Sequence, residues 1–188
     1  MTRYILGILV TGLLIVGCGN MGATKFVHPG FDFGFIERVA VVPFENLSGE
    51  QGAGARATRY FTTALLSAEA FDVVEPGEVS KAVEQFGVVA TAQLTEEQAV
   101  TLGRTLGVQG VFLGSLAESA RLRSGSNNVS VITVVTSLVE TETGTTVWSS
   151  TNTEDSANIW SSLFGTGQKS SSEVMRKALD GCLDTLLD

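Results

Sequence analysis

Cysteine, histidine and proline are nearly missing from this chain of 188 residues, which holds two, one and three of them respectively. Two thiols cannot build a disulfide framework, and they argue against a zinc site. The single histidine, His28, has no acid, thiol or second imidazole at a spacing that would make a metal site or a catalytic triad. No Gly-x-Ser-x-Gly elbow occurs, so the serines between 149 and 172 read as loop and cap residues. No cofactor is implied. Charged residues are few, 17%, and acidic ones dominate, with a net charge of −8. Such a surface repels nucleic-acid phosphates and excludes a nucleic-acid partner. A long apolar run is lacking too: Ile5 to Val16 falls short of the roughly twenty residues a membrane-spanning helix needs. What is present is 44% hydrophobic residues, enough for one domain with a real core.

The apolar run is the right length for the middle of a signal peptide, and Arg3 gives it a positive start. Ile15-Val16-Gly17-Cys18 resembles the lipobox of bacterial lipoproteins, in which the cysteine is acylated after cleavage before it. The alternative is an uncleaved anchor helix. The resemblance implies a leader at 1–17 and fatty acyl chains on Cys18, and several chains hold a protein on a membrane where one exchanges. Gly19 rather than aspartate follows, which in the enterobacterial pattern implies the outer membrane. Without the leader the net charge becomes −9, from 11 basic and 20 acidic side chains.

Residues 18–36 form the lipidated cysteine and a tether rich in glycine and phenylalanine. Phe31, Phe33 and Phe35 alternate, so its later part is expected to dock as an extended strip. A periplasmic α/β (α+β) domain then spans 37–188. Val39 to Phe44 reads as a buried strand stopped by Pro43, and Glu45 to Gln51 as a polar loop. Gly52 to Ala68 has helical spacing, and Phe71 to Val74 is a second strand. A short helix follows from Glu78 to Phe86. Thr95 and Gln98 form a capping box for a helix over Glu96 to Leu106, with Gly107 as its stop. Val111 to Leu116, Val129 to Glu140 and Thr146 to Thr151 are further strands, the last two joined by a tight turn at Glu142-Thr143-Gly144. A closing helix, Ser171 to Leu187, places Cys182 on its apolar stripe as a core thiol. This order predicts a single mixed sheet with helices packed on it.

Laid end to end, these segments resemble the curli-secretion (CsgG-type) lipoproteins and their relatives, the penicillin-binding-protein activators and TolB N-terminal domains. The anchors are Val-Ala-Val-Val-Pro-Phe-Glu-Asn at 39 to 46, Thr63 to Leu66 before Phe71 to Glu75, Leu106-Gly107-Val108 before Val111 to Ser115, and Glu142 to Ser149. Pore-forming members of the curli group insert two hairpins into the membrane, each needing strands of about nine to eleven residues. The intervals Ala117 to Asn128 and Asn152 to Lys169 are too short or too irregular for that, so the chain resembles the periplasmic domain without its channel.

Two further features stay in view. Gly52 and Gly54 open a helix after a strand and Glu75 ends the next strand, as in a dinucleotide site, but seven residues separate the glycines from the strand end. A flexible loop leading into a close-packed helix is the simpler reading. Ile159, Trp160, Leu163 and Phe164 place large apolar groups in a Ser/Gly-rich stretch. They mark either a partner or membrane-surface contact or a lid folded on the sheet. The sequence therefore predicts a non-enzymatic lipoprotein on the periplasmic face of the outer membrane. It would bind envelope protein partners in assembly or secretion, and a homo-oligomer is compatible with this. The alternative is an activator of a peptidoglycan synthase, whose short tether limits its reach; a nucleotide-binding enzyme is the third reading.

Overall fold

The structure, a computed structural model, describes residues 23–87, 94–124, 127–156 and 169–187, of which 118–124 and 127–128 by backbone alone. The leader 1–17 and Cys18 lie outside the described residues. So do Ile159, Trp160, Leu163 and Phe164.

Among the described residues the architecture is the expected one: a mixed seven-stranded sheet with four helices on it. In chain order the strands are β1 (Thr24–Val27), β2 (Arg38–Val41), β3 (Glu45–Asn46), β4 (Asp72–Val73), β5 (Gly110–Ser124), β6 (Asn127–Glu140) and β7 (Thr146–Asp155). The helices are α1 (Ala53–Ala68), α2 (Pro76–Gln85), α3 (Glu96–Leu106) and α4 (Ser171–Leu187). Across the sheet the strands lie in the order β1, β7, β6, β5, β2, β4, with β3 pairing β5 further along. β2 runs parallel to β4 and to β5, whereas β5, β6, β7 and β1 alternate in direction.

The chain steps from β2 outward to β4, then back across β2 to β5. Crossovers of one hand that step in opposite directions lie on opposite faces of a sheet. Accordingly α1 lies in one core, together with α4, and α2 and α3 lie in the other. The larger core gathers Phe61, Phe112, Trp148, Leu138, Met175 and Leu179, all essentially inaccessible. Rings at 5.2 Å (Phe61 to Phe112) and 6.2 Å (Phe112 to Trp148) meet edge to face. Burying each such side chain contributes about 1.5–3 kcal/mol. The smaller core joins Val42, Val79, Leu102, Val111 and Val139.

Local chemistry sets the helix ends. Thr95 Oγ1 accepts from the Gln98 amide at 3.2 Å and Gln98 Oε1 accepts from the Thr95 amide at 2.9 Å. Gly107 stops α3 at φ +63. The β6–β7 turn is held by the buried Glu140 carboxylate, which accepts from the amides of Glu142 and Thr143 and from the Thr143 hydroxyl.

Four expectations needed correction. Proline does stop β2, but the chain resumes pairing at once, and Glu45 and Asn46 lie beside Ser115 and Leu116 rather than in a loop. The interval expected to be a loop after Leu116 is strand, continuing past a bulge to Ser124 opposite Asn127. In the sequence only Ala120 and Leu122 alternate there with polar residues, too short a run to mark a strand. Only four residue pairs, Arg121 to Ser124 opposite Asn127 to Ser130, lie beyond the last pair of β6 with β7, fewer than a barrel strand requires. The stretch after Thr151 is likewise strand as far as Asp155. Finally, the tether does dock, but as β1 over Thr24–Val27. The phenylalanine alternation falls in a 3₁₀ turn, Phe33–Phe35, where the Asp32 side chain accepts from the Gly34 amide. Phe31 and Phe33 stack edge to face at 5.1 Å against the larger core, while Phe35 stays 46% exposed.

Candidate functional site

The two halves of the sheet are clothed differently. Over β2 and the start of β5, helices cover both faces. Over β6 and β7, α4 covers one face, burying Ile132, Val134, Leu138 and Trp148. The residues between them point the other way. Val131, Thr133, Val135 and Ser137 on β6 are half-buried, with Ser149, Thr151 and Thr153 opposite them on β7. Thr24 and Phe26 extend the rows onto β1, opposite Thr151 and Ser149. No described helix lies over this surface.

Its chemistry is uniform. Thr133 and Thr153 share a hydroxyl hydrogen bond of 2.9 Å, and the Ser149 hydroxyl donates to the Thr136 carbonyl at 3.0 Å, so these hydroxyls are tied down. Among the described residues, charge reaches the face at its margins, where Asp155 stands opposite Val131 and Glu118 is in register with Thr133. A solvated sheet face normally carries lysine and glutamate, whereas interface centres are depleted in charge. This flat face of valine, threonine and serine is therefore suited to another protein surface. Among the described residues it offers no nucleophile with a base beside it. The sequence held the signal, since β6 alternates Val/Thr/Ser with Ile/Val/Leu, but periodicity cannot say which face a helix will cover.

Beneath the sheet, α4 seats on a polar seam. Asn152 Nδ2 donates to the Ala178 carbonyl at 3.1 Å, and Trp148 Nε1 to the Thr185 hydroxyl at 3.2 Å. Cys182 is the buried thiol the sequence indicated. Burial pushes its pKa up, and the hydroxyls of Ser150 and Thr136 and the backbone at Asn152 moderate the rise. Those two hydroxyls have no oxygen or nitrogen partner of ordinary geometry.

Depressions elsewhere on the described surface include a groove and a cleft. Between α1 and α4 a groove of about 400 Å³ is lined by Tyr60, Ala64, Leu183 and Leu187, with Arg176 and Asp180 at its rim. Burial raises the pKa of Asp180; Arg176 opposes the rise and Asp184 adds to it. A cleft of about 410 Å³ lies between Phe35, Arg104, Gln109 and Glu142.

The dinucleotide-like feature has a packing explanation. A Cβ on Gly54 would meet the Phe44 carbonyl oxygen at 2.5 Å, so the glycine permits α1 to lie against the chain after β2. Glu75 is the residue preceding α2, and its carbonyl accepts the amides of Glu78 and Val79. The exposed His28 pairs its amide with the Val147 carbonyl at 2.8 Å, extending β1. Among the described residues no group of three acids, thiols or imidazoles could hold a metal, and no helix is long and apolar enough to cross a membrane.

Known proteins supply the remaining observation. A dodecameric PelC variant of Paraburkholderia phytofirmans shares the fold at 19% identity, covering 87% of this chain and 97% of that one, with a TM-score of 0.59. Lipoprotein GNA1162 of Neisseria meningitidis does so at 22%, covering 69% and 90%, with a TM-score of 0.55. For the LpoB C-terminal domain of Salmonella enterica the figures are 21%, 67% and 86%, with a TM-score of 0.50. These likenesses speak for the fold alone. No curated protein matches the chain in sequence. The model of one family matches residues 34–153, and it is that of the synthase activators rather than of the curli-secretion proteins. That stretch runs from the 3₁₀ turn through most of β7 and is well over half of the chain, which therefore belongs to the peptidoglycan-synthase activator family LpoB.

Proposed function

We propose that this protein activates a peptidoglycan synthase of the envelope by binding it, contributing no chemistry of its own. The family match over 34–153 carries this reading. The open face of β6 and β7 supports it, since its centre of valine, threonine and serine carries no charge in a chain of net charge −8. The synthase docks on that face, with Val135 and Thr151 near its centre. Acyl chains on Cys18 hold the protein at the periplasmic side of the outer membrane, and Ile159, Trp160, Leu163 and Phe164 add apolar contacts to partner or membrane. The test is glycan polymerisation by a purified penicillin-binding protein with and without the mature lipoprotein in detergent. Polymerisation rises in its presence, and Val135→Asp abolishes the rise while the protein stays folded. No stimulation and no binding to any synthase of the same cell would sink the reading.

A second reading, self-assembly through the same face, draws on its charge-free centre and on the dodecameric state of PelC. Light scattering separates the two, because Val135→Asp then dissociates an oligomer in the absence of any synthase.

A further inference from the structure

We propose that β1 is a membrane brace: the lipid on Cys18 and the exposed edge strand together hold the domain edge-on against the bilayer, with Lys25, Phe26 and Val27 in contact with lipid. This rests on the reading of Cys18 as acylated. The docking of β1 on β7 leaves only residues 19–23 between the anchor and Thr24. Six Cα steps span at most about 20 Å when fully extended. A folded chain of about 165 residues has a radius of gyration near 15 Å, hence a width of about 40 Å. The leash is thus shorter than the body it holds, and the β1 edge cannot leave the neighbourhood of the membrane.

The strand itself suits that place. It is the outermost strand, and all four of its residues are exposed. Phe26 is 47% and Val27 43% exposed, pointing to opposite faces of the sheet from neighbouring positions. Edge strands facing water are normally blunted by charge, proline or cover. Here one lysine sits between threonine and two large apolar groups. At a lipid surface the rings and branched carbons enter the headgroup boundary, while the lysine stem lies along it with its ammonium at the phosphates. The acidic remainder of the chain restricts the contact to this edge. Edge-on placement also stands the open face upright and accessible, so a synthase must bring its own docking part to the outer membrane.

The experiment uses the full lipidated protein in vesicles of phosphatidylethanolamine and phosphatidylglycerol containing brominated acyl chains. A polarity-sensitive dye is placed by Val27→Cys at the brace and, separately, by Asp72→Cys at the opposite edge, with Cys182 buried and unlabelled. Quenching is expected to be severalfold stronger at 27 than at 72. It should fall when a flexible Gly/Ser segment is inserted before Ala23. Equal quenching at the two positions in protein that floats with the vesicles overturns the brace and leaves acylation standing. Unchanged quenching after the insertion overturns the role of the leash. Pyrene excimers between copies labelled at 27 assign the edge to a second copy, which also overturns it. Protein that does not float, with a mass showing an unmodified Cys18, overturns the underlying reading instead.

Discussion

The half of the sheet around β2 and the half around β7 are built from similar residues and protected differently. Val111 on β5 and Val135 on β6 point to the same side of the sheet, since Val111 pairs with Val139 and Val135 with Ser115. Val111 lies under α3 and is fully buried; Val135 has no helix above it and is half-buried. The first half uses both faces to stabilise the fold, and the second keeps one face for a partner. Antiparallel hairpins tolerate one solvated face, whereas parallel strands joined by helices are covered on both.

Reversing the environments is the sharpest test. Val111→Asp puts an unpaired charge in a closed core and should destabilise by more than about 4 kcal/mol, leaving little folded protein in thermal or urea unfolding. Val135→Asp should stay within about 1 kcal/mol of the parent and instead weaken synthase binding at least about tenfold in a titration. If both unfold the protein, the two halves are not different in kind.

Next in size is Trp148→Ala, at the centre of the larger core beneath the open half. Its loss should cost about 3–5 kcal/mol in urea unfolding, which tests whether α4 alone secures that half. Gly103→Ala tests the covered half at closer range. A Cβ there collides with the Thr141 side chain, and overpacking should cost about 1–3 kcal/mol, seen as a lower urea midpoint at unchanged slope.

The smallest effect is Asp180→Asn in the α1–α4 groove. Its folded-state pKa lies above the ordinary carboxylate value, so the native state holds a proton that the unfolded state releases. Stability from this group is therefore present at acid pH and declines as pH rises through the raised pKa. Removing the ionisation should raise the melting temperature by about 1–2 °C at neutral pH, discounted for partial exposure, with the gain vanishing in acid.

Features fixed by neighbours in sequence were legible. The α3 capping box, its Gly107 stop, the span of α4 and the turn at Glu142-Thr143-Gly144 all rest on contacts within a few residues. The buried state of Cys182 followed from the helical period. Strands whose partners lie far along the chain were less so. Glu45 and Asn46 look like loop because their only sheet partner is β5, about seventy residues on. Glu118 to Ser124 look like loop because the only apolar residues, Ala120 and Leu122, make too short an alternation to mark a strand, although β6 pairs with each of their backbones. Phe31, Phe33 and Phe35 imitate a strand because alternation alone cannot see Asp32 capping a turn. Of the candidate site, the two-faced pattern of β6 was readable, but its open side was not.

The four helices and their order, the apolar strands among them, the apolar stripes and the acidic surface were written in the sequence, because each depends on local backbone preference, side-chain period or composition. Which sheet face received a helix, that the tether became an edge strand, and that Gly54 serves packing were decided only by the assembled structure. Those outcomes depend on the direction of each crossover and on contacts between residues distant in the chain, and no local pattern encodes them.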